Sequence, residues 1–172
     1  MRIHTERLEL ICCDHELLRT LIYDKTEFEK LIDIKIPEKF TEFGLPPLQY
    51  SMEKLADPGE IGWWTYLPVH IHANMLIGTC GYKGKPDKDG MVEIGYEVVE
   101  ALRNKGYAKE IAQGLIKNAF RYHEVKIVRA HTLPEVNPSV RILKSCNMEF
   151  IDTIMDPEDG EVWRWEILKI NC

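Results

Sequence analysis

The stretch LRNKGYAKE, Leu102 to Glu110, sets a glycine and two cations, Arg103 and Lys105, directly ahead of a periodic apolar run. The first backbone N–H groups of a helix lack intrahelical partners and carry the positive end of its dipole, so a helix opening here offers a place for an anion. Gly106 would let that anion approach the backbone closely, and Arg103 and Lys105 add charge; a pyrophosphate would satisfy all of these. Taken alone, R-x-x-G-x-A equally describes an ordinary turn. The G-x-x-x-x-G-K-[ST] phosphate loop and the G-x-G-x-x-G dinucleotide pattern are both absent.

Other reactive residue types suggest less. His131 with Cys146 has no orienting third group and no context that would activate the thiol, so a Cys-His hydrolase is disfavoured. His70 and His72 share a strand face but lack further identifiable ligands, and no metal site is expected. The chain has five cysteines and no C-x-x-C pair, a pattern read as reduced, mostly buried thiols.

The elements that must hold the anion turn follow from periodicity. Arg7 to Cys12 reads as a strand, and Asp14 is a good N-cap for helices broken by Pro37 and the Pro46-Pro47 pair before about Ala56. Gly62 to Ile71 and Met75 to Tyr82 read as a hairpin, with Pro68 implying an irregular or edge position. Met91 to Val99 is the next strand. From Gly106 to Tyr122, Ala108, Ile111, Ala112, Leu115, Ile116, Ala119 and Phe120 recur at helical spacing. Ile127 to Leu133 is a strand and Pro138 to Cys146 a helix. Phe150 to Met155 with Val162 to Leu168 forms a closing hairpin around the DPEDG turn. This order gives a mixed α/β sheet whose strands near 91 and 133 join by a parallel crossover.

At 172 residues, 45% hydrophobic and 29% charged, the chain reads as one soluble globular domain over 1–172. The net charge of −6 argues against nucleic acid as a partner. The charged amino terminus has no apolar h-region and no long apolar run follows, so the expectation is a cytoplasmic protein without a membrane partner.

The run VEIGYEVVEALRNKGYAKE resembles motif A of the GNAT acetyltransferase superfamily. Two further stretches agree: TERLEL (Thr5 to Leu10) looks like the opening of the ribosomal-protein N-terminal acetyltransferase-like subgroup, and NPSVRILKSCNMEF (Asn137 to Phe150) resembles a later segment of it. The resemblance implies a GNAT fold: a central, mixed, splayed sheet of about six to seven strands with helices on both faces. It further implies acetyl-CoA as co-substrate and an amine acceptor, with a protein N-terminal α-amine first and a polyamine- or aminoglycoside-like small molecule second. A non-catalytic acyl-CoA-binding module is the reading from another class, and a monomer or homodimer is expected. Asn147-Met148 replaces the subgroup's usual Gly-Phe, and Leu143 stands where many members carry a tyrosine acid.

By the same resemblance, Arg103, Asn104, Lys105, Gly106, Tyr107, Ala108 and Lys109 would cradle the pyrophosphate. Val98 and Val99 would pair with the pantetheine arm, Asn137 would contact that arm or fix its loop, and the Val98 N–H would stabilise the oxyanion. Alternation puts Glu93, Gly95, Glu97 and Val99 on one strand face. Glu93 is the first candidate base for the amine proton and Glu97 the second. Ser139 aligns with the subgroup's serine acid; the thiol leaving group needs little help, having a pKa of about 8.5 by analogy with cysteine. No covalent acetyl-enzyme is expected.

Overall fold

The computed structural model describes residues 1–157 and 159–169, so Cys172 and Glu158 of the DPEDG turn lie outside the described residues. The chain opens with β1 (Arg2–His4) and β2 (Leu8–Cys12), followed by three helices, α1 (His15–Tyr23), α2 (Lys25–Ile32) and α3 (Pro46–Lys54). Strands β3 (Thr65–His70), β4 (Met75–Leu76), β5 (Gly78–Tyr82) and β6 (Met91–Val98) come next. Helix α4 (Tyr107–Ala119), β7 (Ile127–Thr132), α5 (Pro138–Ser145), β8 (Glu149–Asp156) and β9 (Gly160–Leu168) complete the fold.

The strands form one sheet in the order β1-β2-β3-β5-β6-β7-β9-β8, with β4 beside β3. It has nine strands where the sequence implied six to seven. The difference comes from β1, only three residues long, and from a break at Ile77 that divides the run Met75 to Tyr82. That break faces Pro68, which has no N–H to donate; the register slips by one residue there, from Tyr66↔Cys80 to Val69↔Leu76. Pro68 is therefore irregular yet interior, paired with Leu10 of β2.

Each sheet face has its own core. Alternate residues of β2, β6 and β7, including Leu8, Leu10, Val92, Ile94 and Val128, meet Ile111 and Leu115 of α4 and Val140 and Leu143 of α5. Ile11, Leu67, Val69 and Leu76 point the opposite way, against Leu18, Leu21, Phe28 and Leu48 of α1 to α3. Asn118 of α4 is buried among apolar neighbours because its amide donates to the Tyr82 hydroxyl, which itself donates to the Leu115 carbonyl. Cys12, Cys13, Cys80 and Cys146 are free and buried. Among the described residues no helix is long and apolar enough to cross a membrane.

Candidate active site

Between β6 and α4 the chain makes a 3-10 turn at Glu100–Leu102, then places Asn104 (φ 61°) and Gly106 (φ 83°) in the left-handed region. Gly106 is the N-cap of α4 and has no side chain to cap it. The Arg103 N–H donates to Glu100, but the amides of Asn104 through Lys109 have no acceptor among the described residues. Lys105 and Lys109 are exposed beside them. This run of unpartnered donors at the positive end of a 13-residue helix fits a pyrophosphate.

The amino-terminal Thr-Glu-Arg holds that turn in place. Thr5 Oγ1 and the Arg7 N–H both donate to Glu110 Oε1 at 2.6 Å, and Arg7 Nε and Nη2 reach Glu110 Oε2 at 2.8 Å. Arg7 Nη1 donates to the Lys105 carbonyl at 2.9 Å, and the guanidinium lies 4.6 Å from the Tyr107 ring centre. Burial works against ionisation of Glu110, but the bonds from Thr5 and Arg7 outweigh it and hold the carboxyl below its ordinary range. Sequence reasoning missed this clamp, whose partners are 103 residues apart.

The strand leading into the turn parts from its neighbour. β6 and β7 run parallel but pair only from Met91↔Ile127 to Glu93↔Arg129. The Val99 N–H donates to Ile77, and the Glu93 carbonyl accepts from Lys83, so odd-numbered residues of β6 turn their backbone toward β5. Tyr96 and Val98 turn theirs toward β7, beyond the last pair. Here an extended arm can add to β6 as a strand would. The Val98 carbonyl already accepts from Arg103 Nε at 3.1 Å, and the same guanidinium pairs with Glu42. Arg103 thus holds the strand end.

On the face away from α4, Glu93 accepts from His131 Nδ1 at 3.0 Å and pairs with Lys83 Nζ. Burial pushes the Glu93 carboxyl up, but the His131 bond and the Lys83 charge prevail and hold it below its ordinary range. Glu97, on the same face, accepts from Thr79 Oγ1 at 2.7 Å and from the Glu42 N–H at 2.8 Å. Between the two, a side chain on Gly95 would meet nothing within 4 Å. His131 lies between Ala130 and Thr132, which are buried under the helices, so it turns away from Cys146; the two do not pair.

Around α5, Asn137 is the N-cap, its side-chain oxygen accepting from the Val140 N–H at 3.0 Å. Ser139 is half-buried in the first turn and its hydroxyl bonds to no other described residue. Leu143 is in the core, and the hydroxyl of Tyr96, which packs against the same core, is buried without a hydrogen-bond partner among the described residues. Burial, with Cys146 adding to it, pushes the Tyr96 phenol far above its ordinary range. His70 and His72 have ring centres 6.2 Å apart, and no group of three metal-ligating residues occurs among the described residues.

Comparison with known proteins agrees with this architecture. Residues 8–149 match the family model described as an acetyltransferase (GNAT) domain. An uncharacterised N-acetyltransferase, p20 of Bacillus licheniformis, is 30% identical over 99 residues, which is 55% of this chain and 56% of that protein. The match therefore spans about half the length of that relative. Among solved structures, a ribosomal L7/L12 alpha-N-protein acetyltransferase in complex with coenzyme A superposes with a TM-score of 0.68 at 15% identity, over 98% of both chains. An acetyltransferase from Salmonella typhimurium, described as modifying the N-terminal serine of the 50S subunit protein L7/L12, gives 0.69 at 13% identity, over 99% of this chain and 100% of that one. At those identities the structures show a shared fold, while the family match spans most of the chain. The protein belongs to the GNAT acetyltransferase family.

Proposed function

We propose that the chain transfers the acetyl group of acetyl-CoA to a protein N-terminal α-amine by direct attack in a ternary complex. The observation that carries this reading is the row of unpartnered amides from Asn104 to Lys109 at the end of a strand that has parted from its parallel neighbour. In it, those amides with Lys105 and Lys109 hold the pyrophosphate, and the Val98 N–H faces the thioester oxygen. Asn137, fixed as the α5 cap, presents its remaining amide hydrogens toward the arm. Ser139 supplies a proton to the departing sulfur. Gly95 leaves room for the amine on the Glu93 and Glu97 face.

Direct attack is supported by the cysteines. Burial raises the thiols of Cys12, Cys13, Cys80 and Cys146, so none is prepared as a thiolate to carry an acetyl group. The N-terminal acceptor is supported by the ribosomal-protein acetyltransferases among the structural neighbours. A cytoplasmic site of action accompanies this reading.

The test is incubation with acetyl-CoA and peptides beginning in serine or alanine, with the N-terminus free or blocked, read by mass spectrometry. A gain of one acetyl group on the free N-terminus alone supports the proposal. Transfer to lysine side chains or polyamines alone replaces the acceptor, and acetyl-CoA binding without transfer to any amine makes the domain a binding module.

A further inference from the structure

We propose that His131 is the base that takes the proton from the acceptor amine, and that Glu93 is the positioning residue that orients it; this rests on the acetyltransferase reading above. The two side chains meet across the point where β6 and β7 part. Glu93 belongs to the last pair of the parallel ladder, Glu93↔Arg129, and His131 is the next residue on that face of β7. Both are well inside the protein, with side chains 17% and 14% exposed.

The tautomer follows from the partner. An ionised carboxylate can only accept, so the proton of the Nδ1···Oε1 bond sits on His131 Nδ1. Lys83 keeps Glu93 ionised, its Nζ pairing with the same Oε1 that His131 reaches. Nε2 then carries the lone pair, and it is buried with no hydrogen-bond partner among the described residues. A group oriented through one nitrogen and unsatisfied at the other has the arrangement of a histidine general base with its carboxylate.

Glu93 is poorly suited to the same task. Its Oε1 already takes both His131 and Lys83, which hold the carboxyl below its ordinary range, and imidazole as a class is the stronger base by about two pKa units. Among the described residues, Glu93 is the acidic group that pairs with His131. Arg164, opposite it in β9, is tied to Asp152, and Lys83 is tied to Glu93.

Placement is consistent with the cofactor's direction. The free amides lie beyond the end of β6, so an arm running back along β6 carries its thioester toward the parting of the strands. The amine nitrogen forms its bond to the thioester carbonyl carbon as one N–H proton passes to His131 Nε2. The carbon–sulfur bond breaks with its electron pair on sulfur, which takes the Ser139 hydroxyl proton, and the proton on Nε2 returns through solvent to the Ser139 oxygen. The products are the amide and the free thiol.

The test combines nitrogen-15 imidazole NMR with kinetics on a free serine-terminal peptide. Wild-type protein at pH 8 is expected to show His131 with its proton on Nδ1, and Glu93→Ala is expected to shift it toward Nε2. His131→Ala should lower kcat at least a hundredfold with the acetyl-CoA Kd within twofold, and added free imidazole should restore at least tenfold. Glu93→Gln should lower kcat about tenfold. Acetyl transfer by a wild-type protein whose His131 proton is on Nε2 overturns the base and leaves the function standing. So does a fully active His131→Ala, or a loss that imidazole does not rescue. Folded wild type that binds no acetyl-CoA overturns both readings.

Discussion

The Arg103 guanidinium joins two segments by donating from Nε to the Val98 carbonyl, 3.1 Å away, and pairing through Nη2 with Glu42. Glu42 in turn donates its N–H to Glu97, so the loop before α3 is fastened to the end of β6. An arm that pairs with Val98 must share that carbonyl with Arg103. Arg103→Ala is expected to weaken acetyl-CoA binding about tenfold, the size of one charge-assisted bond, with Arg103→Lys intermediate because lysine lacks the fork. Calorimetric titration of both variants checks this.

Glu110 should matter to stability more than to chemistry. Glu110→Gln weakens the clamp from Thr5 and Arg7 at a cost of about 1–2 kcal/mol, or about 4 °C in Tm. Because the folded-state pKa is depressed, the contribution is full above the ordinary carboxylate range and is lost as the pH falls through the folded value. Thermal melts of wild type and variant should differ at pH 7, begin to approach one another below the ordinary carboxylate range, and converge only once the pH is below the depressed folded value.

Gly95 opens the space between Glu93 and Glu97 in which the proposed acceptor amine would sit. Since nothing lies within 4 Å of a Cβ there, Gly95→Leu should fold normally and fill the space between Glu93 and Glu97. The expected result is a rise of at least tenfold in KM for the acceptor peptide with the acetyl-CoA Kd unchanged.

Ser139→Ala should be mild. A thiol leaving group with a pKa of about 8.5 needs little protonation, and the helix cap is Asn137, not Ser139. The expected change is about a tenfold fall in kcat with no loss of stability, measured by thiol release and thermal melts.

Much of this was legible in the sequence because it is local. The glycine turn ahead of α4, α4 with its apolar stripe, and the split of β6 into a buried face and a Glu93–Gly95–Glu97 face all follow from spacings of a few residues. The short β1 and the break at Ile77 escaped it, because neither carries a period long enough to read. The site partners were illegible for another reason. Glu93 and His131 are 38 residues apart, and only the parallel pairing of β6 with β7 brings them together. His131 and Cys146 are both reactive types, but strand alternation turns His131 toward Glu93. Arg103 looked like a phosphate ligand by charge, and its bond to Val98 depends on a turn whose path spacing does not reveal.

The central claim is that the amides of Asn104 through Lys109 hold the pyrophosphate of acetyl-CoA. Isothermal titration of acetyl-CoA into wild type and into Gly106→Trp, with circular dichroism confirming that both are folded, tests it most directly. The account predicts saturable one-to-one binding by the wild type and a loss of at least a hundredfold in the variant. Equal binding by the two proteins, or none by the folded wild type, would contradict it.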